Sequence, residues 1–109
     1  MSKTYKLQWT KNAKDDLLNI VSHIKKDSPV IAKDIYLKLR EKAHSSNFFP
    51  LKGRVVPELH EEGITQYREI IVTPWRIIYR VGDDTVYIMS ILDSRQNLEE
   101  VLLQRILSK

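Results

Sequence analysis

Residues 67–92 read Tyr67-Arg68-Glu69-Ile70-Ile71-Val72-Thr73-Pro74-Trp75-Arg76-Ile77-Ile78-Tyr79-Arg80-Val81-Gly82-Asp83-Asp84-Thr85-Val86-Tyr87-Ile88-Met89-Ser90-Ile91-Leu92. β-Branched and aromatic residues fill three runs, 67–72, 75–81 and 85–92, and turn formers fill the gaps between them. Thr73-Pro74 and Gly82-Asp83-Asp84 are short enough to close hairpins. The stretch therefore predicts three strands joined as an antiparallel meander.

Working back toward the N-terminus, Gly53, Pro57 and Gly63 keep residues 53–63 irregular to about residue 60, and a loop is expected from Ser45 to Leu51. Before that loop lie two helical patterns. Ala13, Leu17, Ile20, Val21 and Ile24 recur at helical spacing behind Thr10, an N-cap residue, which predicts a helix over 11–26. Ser28 and Pro29 then restart the chain, and Ala32, Ile35, Tyr36, Leu39 and Ala43 predict a second helix over 29–45. So short a connection implies an antiparallel helical hairpin. Tyr5–Trp9 alternates as a further strand. At the far end, Leu98, Val101, Leu102 and Ile106 mark a C-terminal helix within 96–107, opened by Asp93-Ser94. The order is β-α-α-β-β-β-α. The fold class is α+β, one domain over residues 1–109, with the hairpin packed on one face of an antiparallel sheet and Leu17, Ile35 and Leu39 central to the packing.

Alternation along the strands separates side chains by face. Trp75, Ile77, Tyr79 and Val81 face one way, and Arg76, Ile78 and Arg80 the other. In the last strand, Val86, Ile88, Ser90 and Leu92 oppose Thr85, Tyr87, Met89 and Ile91. With one face under the hairpin, the other is expected to be partly covered, leaving a groove with Arg76 and Arg80 on or beside it and Arg54, Arg68 and Arg95 at its rim. Such a group of arginines attracts phosphates or carboxylates. The alternative is that Arg68 and Arg76 form ordinary surface ion pairs with Glu58, Glu69 or Asp93.

The net charge of +4 is unevenly placed. Residues 1–42 hold ten Lys or Arg against five Asp or Glu, and residues 43–109 eight against nine. The absence of cysteine excludes disulfides and thiolate metal sites. His23, His44 and His60 are scattered, and Glu58, His60, Glu61 and Glu62 lack the histidine spacing of a metal site, so no metal and no cofactor is expected. There is no glycine-rich phosphate loop, no nucleophile elbow and no Ser–His–Asp set. Met1–Tyr5 has no apolar signal core and the apolar runs are too short to span a bilayer, so a cytoplasmic protein with no membrane partner is expected.

Gly53-Arg54-Val55-Val56-Pro57-Glu58-Leu59, Tyr67 to Val72, Trp75 to Val81, and Val86 to Leu92 with Asp93-Ser94-Arg95-Gln96-Asn97-Leu98 together resemble the RelE/ParE toxin superfamily. Trp9-Thr10 with Ala13, Asp16 and Leu17 resembles its opening strand and helix. The similarity covers nearly the whole chain and favours the ParE branch. It implies the toxin of a type II toxin–antitoxin (plasmid stabilization) system, growth-inhibiting until neutralised by a cognate antitoxin in a hetero-oligomer. ParE-like members poison DNA gyrase and block replication, whereas RelE-like members cut mRNA on the ribosome.

The resemblance leaves the catalytic question open. Arg68, Arg76 and Arg95 match the family's basic positions loosely. Residues 96–107 contain no Tyr or His to act on a 2′-hydroxyl, and Asp93-Ser94 stands where many relatives carry His-Gly or His-Ser. Both departures put a gyrase inhibitor ahead of a ribosome-dependent endonuclease, with a non-toxic binding module third. Arg54, Arg68, Arg76, Arg80 and Arg95 are the expected target-binding residues. Trp75 and Tyr79 are the expected antitoxin anchors, on condition that they are exposed.

Overall fold

A computed structural model describes residues 4–46 and 50–107. Part of the loop expected over 45–51, residues 47–49, lies outside the described residues. The elements are β1 (Lys6–Trp9), α1 (Lys11–Lys25), α2 (Pro29–Ser45), β2 (Arg54–Val55), α3 (Pro57–His60), β3 (Tyr67–Val72), β4 (Trp75–Val81), β5 (Thr85–Asp93) and α4 (Leu98–Leu107). They form one sheet in the order β1-β5-β4-β3-β2. The meander β3-β4-β5 is antiparallel as expected, while β1 runs parallel to β5 and makes the sheet mixed.

The helical hairpin forms where its capping residues start it. The Thr10 hydroxyl accepts from the Ala13 amide at 3.3 Å, and the Ser28 hydroxyl accepts from the Ile31 amide at 3.3 Å. Pro29 occupies the first turn of α2, where its missing N–H leaves nothing unpaired. Ala13 and Leu17 of α1, with Leu39 and Ala43 of α2, pack on Val72, Ile77, Tyr79, Val86, Ile88 and Ile91 of the sheet. Leu17 and Leu39 are buried as expected; Ile35 is half-buried at the margin of the same core.

Strict alternation in β5 does not survive. Tyr79 pairs with Ile88 but Ile78 pairs with Ser90, so Met89 is an extra residue in a β-bulge. Beyond the bulge the faces exchange: Ile91 joins the hairpin-side core, and Leu92 joins the opposite one. Val86, Ile88, Ser90 and Leu92 therefore do not share a face. Thr10 fastens the chain at this point, with its hydroxyl donating to the Ile88 carbonyl at 2.9 Å and its amide to the same oxygen at 3.0 Å.

The second face carries a smaller core of Val56, Leu59, Tyr67, Ile78, Leu92, Leu98 and Leu102, covered by α3 and α4. The segment expected to be irregular up to residue 60 thus contains one short strand and one helical turn. Pro57 opens that turn, and Gly63 follows it at φ 78°, a conformation natural to glycine.

Candidate functional site

The five arginines do not converge on one groove. Arg76 is buried on the α3/α4 side of the sheet. Its guanidinium donates to both Glu58 oxygens at 2.7 and 2.8 Å, and its Nε donates to Glu69 at 2.6 Å. The Glu69 carboxylate is fully buried and also accepts from Arg54. The hydrogen bonds that Arg76 donates to Glu58, ahead of the opposing desolvation, hold its guanidinium above its ordinary pKa, and the same contact holds Glu58 below the usual carboxylate range. Arg76 therefore does pair with Glu58 and Glu69, but as a buried network joining α3, β3 and β4 rather than as a surface pair. A phosphate approaching Arg76 would have to displace two carboxylates.

Arg68 is committed to the backbone. It donates to the Gly53 carbonyl at 2.7 Å. Tyr79 ties down the same turn: its hydroxyl donates to the Pro50 carbonyl at 2.7 Å and accepts from the Gly53 amide at 3.0 Å. Burial pushes the Tyr79 hydroxyl above its ordinary pKa. Tyr79 is fully buried, so the condition of exposure placed on it is not met. Arg80 lies four residues along β4 from Arg76, roughly 13 Å at the rise of a strand, with its guanidinium 4.6 Å from the Tyr87 ring centre.

Arg95 is the exception, since its side chain is 81% exposed. It sits in the turn between β5 and α4 and donates to both Asp93 oxygens, at 2.9 and 2.6 Å. That pairing, helped by the Arg95 backbone amide, lowers the Asp93 carboxyl to a pKa of about 2. Beside this turn lies a cleft of about 540 Å³ lined by two expected site residues, Trp75 and Arg95. Ile20, Ile24, Pro74 and Ile91 give it an apolar wall, and Asn19, His23 and Gln96 offer hydrogen-bonding groups.

The cleft is held open by residues that sequence reasoning passed over. Arg105 of α4 grips Asp16 of α1 with two hydrogen bonds and also donates to the Ser90 hydroxyl at 2.9 Å. Asp16 accepts in addition from the Ile91 amide at 2.9 Å, so it caps the β5 edge that β1 leaves uncovered. The only sequence signal was an acidic residue close to the apolar stripe of α1, and its partner is 89 positions away.

The remaining titratable groups build nothing comparable. His44 and His60 are exposed at the ends of α2 and α3, and Glu58 is engaged by Arg76. Among the described residues no group of three or more His, Asp or Glu could hold a metal ion, and no helix is long and apolar enough to cross a membrane.

The fold recurs in known proteins. Residues 7–98 match the model of the ParE toxin of the type II toxin–antitoxin system parDE. No curated protein sequence matches the chain. Among solved structures, a chain of the chromosomal ParDE system from P. aeruginosa superposes with a TM-score of 0.66 at 21% identity, over 83% of this chain and 96% of that one. A chain of the toxin–antitoxin complex RelBE2 from Mycobacterium tuberculosis gives 0.59 at 21% identity, over 84% of this chain and 92% of that one. At this identity both likenesses speak to the fold, and the family match spans most of the sequence. The chain belongs to the ParE toxin family of type II toxin–antitoxin systems.

Proposed function

We propose that this ParE toxin inhibits DNA gyrase by docking on it, without chemistry of its own, and that a cognate antitoxin neutralises it in a hetero-oligomer. The observation that carries the reading is the state of the cleft beside Arg95. A ribonuclease site must concentrate positive charge on a phosphate and supply a group to move the 2′-hydroxyl proton. Here Asp93 brings a carboxylate that stays ionised at any physiological pH, and its charge is matched by Arg95. Arg76 is likewise matched by Glu58 and Glu69. A docking surface needs none of this chemistry. It needs an apolar wall, an aromatic and a directional cation, and Trp75, Ile20 and Arg95 supply them.

In this reading Arg95 and Trp75 carry target contact. Arg54, Arg68 and Arg76 act through the fold, and Arg80 lies too far along β4 to share the cleft. The antitoxin part of the reading rests on the family and on the two similar structures, one described as a ParDE system and the other as a toxin–antitoxin complex. The test is expression without antitoxin, with the DNA-damage response and mRNA integrity followed in the same culture. Induction of the damage response with intact mRNA supports gyrase as the target. Codon-specific mRNA cuts without a damage response would reject it.

A further inference from the structure

Away from that cleft, Trp9, Lys14, Leu17, Leu18, Tyr36 and Arg40 line a groove of about 280 Å³ where the helical hairpin meets β1. Lys14 and Arg40 are both exposed, and neither makes an ion pair among the described residues. That sets Arg40 apart from Arg54, Arg76, Arg95 and Arg105, each of which holds a carboxylate. Arg40 lies 5.7 Å from the centre of the Tyr36 ring and donates to its hydroxyl at 3.3 Å. One depression therefore presents two cations that hold no carboxylate among the described residues, two half-buried aromatic rings and an apolar floor. The surplus of ten Lys or Arg over five Asp or Glu in residues 1–42 lies largely on the same two helices.

We propose that this groove binds a single-stranded nucleic acid, with Lys14 and Arg40 on successive phosphates and an unpaired base against Trp9 or Tyr36. A strand alternates an anion with a flat π-face, and this groove alternates cations with rings. A duplex offers the phosphates but keeps its bases stacked inside. An acidic peptide carries its charges and any rings on separate flexible side chains, without the regular alternation of a strand. The same hairpin also carries Lys25, Lys26 and Lys33, a spread of charge that suits an extended polyanion better than a compact ligand. The inference is independent of the gyrase reading, because it concerns the toxin alone.

The test uses the full chain and a fluorescein-labelled oligo(dT) 12-mer followed by anisotropy at several salt concentrations. In parallel, Trp75→Phe leaves Trp9 as the only tryptophan, whose emission should be quenched as the oligonucleotide binds. The pair Lys14→Gln and Arg40→Gln, both at exposed positions, should weaken binding roughly tenfold and flatten the log–log salt slope by about 1.4, two contacts at about 0.7 each. Equal binding of a duplex of the same length, unquenched Trp9, or an affinity indifferent to Lys14 and Arg40 would each overturn the proposal. Since no gyrase is present, these outcomes leave the gyrase reading to be judged by its own assay.

Discussion

Arg105 on α4 holds Asp16 on α1 through two hydrogen bonds of 2.7 and 2.9 Å, and so closes the last helix of the chain onto the first. The two helices lie against opposite faces of the sheet, and the pair reaches around the part of β5 that β1 does not cover. The Asp16 side chain is only 10% exposed, so its loss would leave the Arg105 guanidinium without its carboxylate and the Ile91 amide without its acceptor in a largely dry place. Asp16→Ala is expected to cost roughly 2–3 kcal/mol. Chemical denaturation should show it, and a double-mutant cycle with Arg105→Ala should return a coupling of the same sign. Strict additivity of the two substitutions would mean the pair contributes nothing.

Gly53 packs where no side chain fits. A Cβ there would stand 2.5 Å from the Glu69 carbonyl oxygen and 2.5 Å from the Tyr79 hydroxyl. The glycine is required by close approach, since its backbone shows no positive φ. Gly53→Ala should destabilise the protein by about 1–3 kcal/mol, because the turn must shift away from Tyr79. A melting temperature within a degree of wild type would show that the turn is looser than this packing implies.

The Asp93 carboxyl titrates at about 2 because Arg95 holds its ionised form. A carboxylate depressed by folding favours the folded state above its ordinary range, and that contribution disappears as the pH falls through the folded value. NMR titration should therefore find Asp93 still charged at pH 3. In Arg95→Ala its midpoint should rise toward the ordinary aspartate value of 3.8. An unchanged midpoint would mean that Arg95 does not hold the carboxylate in solution.

Arg76 and Arg95 should separate on stability. Arg76→Ala leaves the fully buried Glu69 with Arg54 alone and frees Glu58, so a loss of about 3–5 kcal/mol is expected. Arg95→Ala removes an exposed pair and should leave the melting temperature close to that of wild type. Thermal melts of the two variants, run together, decide whether a toxicity defect reflects contact or folding. Equal melting temperatures would contradict the burial of the Arg76 network.

The division between what was legible in the sequence and what was not follows the range of the interactions. Thr10, Ser28 and Pro29 act on residues three or four positions away, and the stripes ending at Leu39 and Ala43 repeat locally, so α1 and α2 could be read to within a residue. The direction of β1 depends on which strand it joins, and nothing between Tyr5 and Trp9 states that. The Met89 bulge is invisible to alternation because one extra residue changes no composition, yet it transfers Ile91 and Leu92 between faces. At the site, Trp75 and Arg95 line one cleft although they were expected in separate roles, Trp75 as an antitoxin anchor and Arg95 at the rim of a target groove. The dispersal of the other arginines was not legible, because Glu58, Glu69 and Arg76 meet only once α3, β3 and β4 have folded. Asp16 and Arg105 were missed for the same reason.

The most direct measurement of the central claim is a gel assay of purified gyrase on negatively supercoiled and relaxed plasmid, with the purified toxin added across a concentration series. Inhibition of supercoiling or accumulation of gyrase-cleaved DNA is expected, weakened by Arg95→Ala or Trp75→Ala at unchanged melting temperature and abolished by the co-encoded antitoxin. Gyrase activity unaffected by the toxin, while the same preparation cuts ribosome-bound mRNA in a translation extract, would contradict the account.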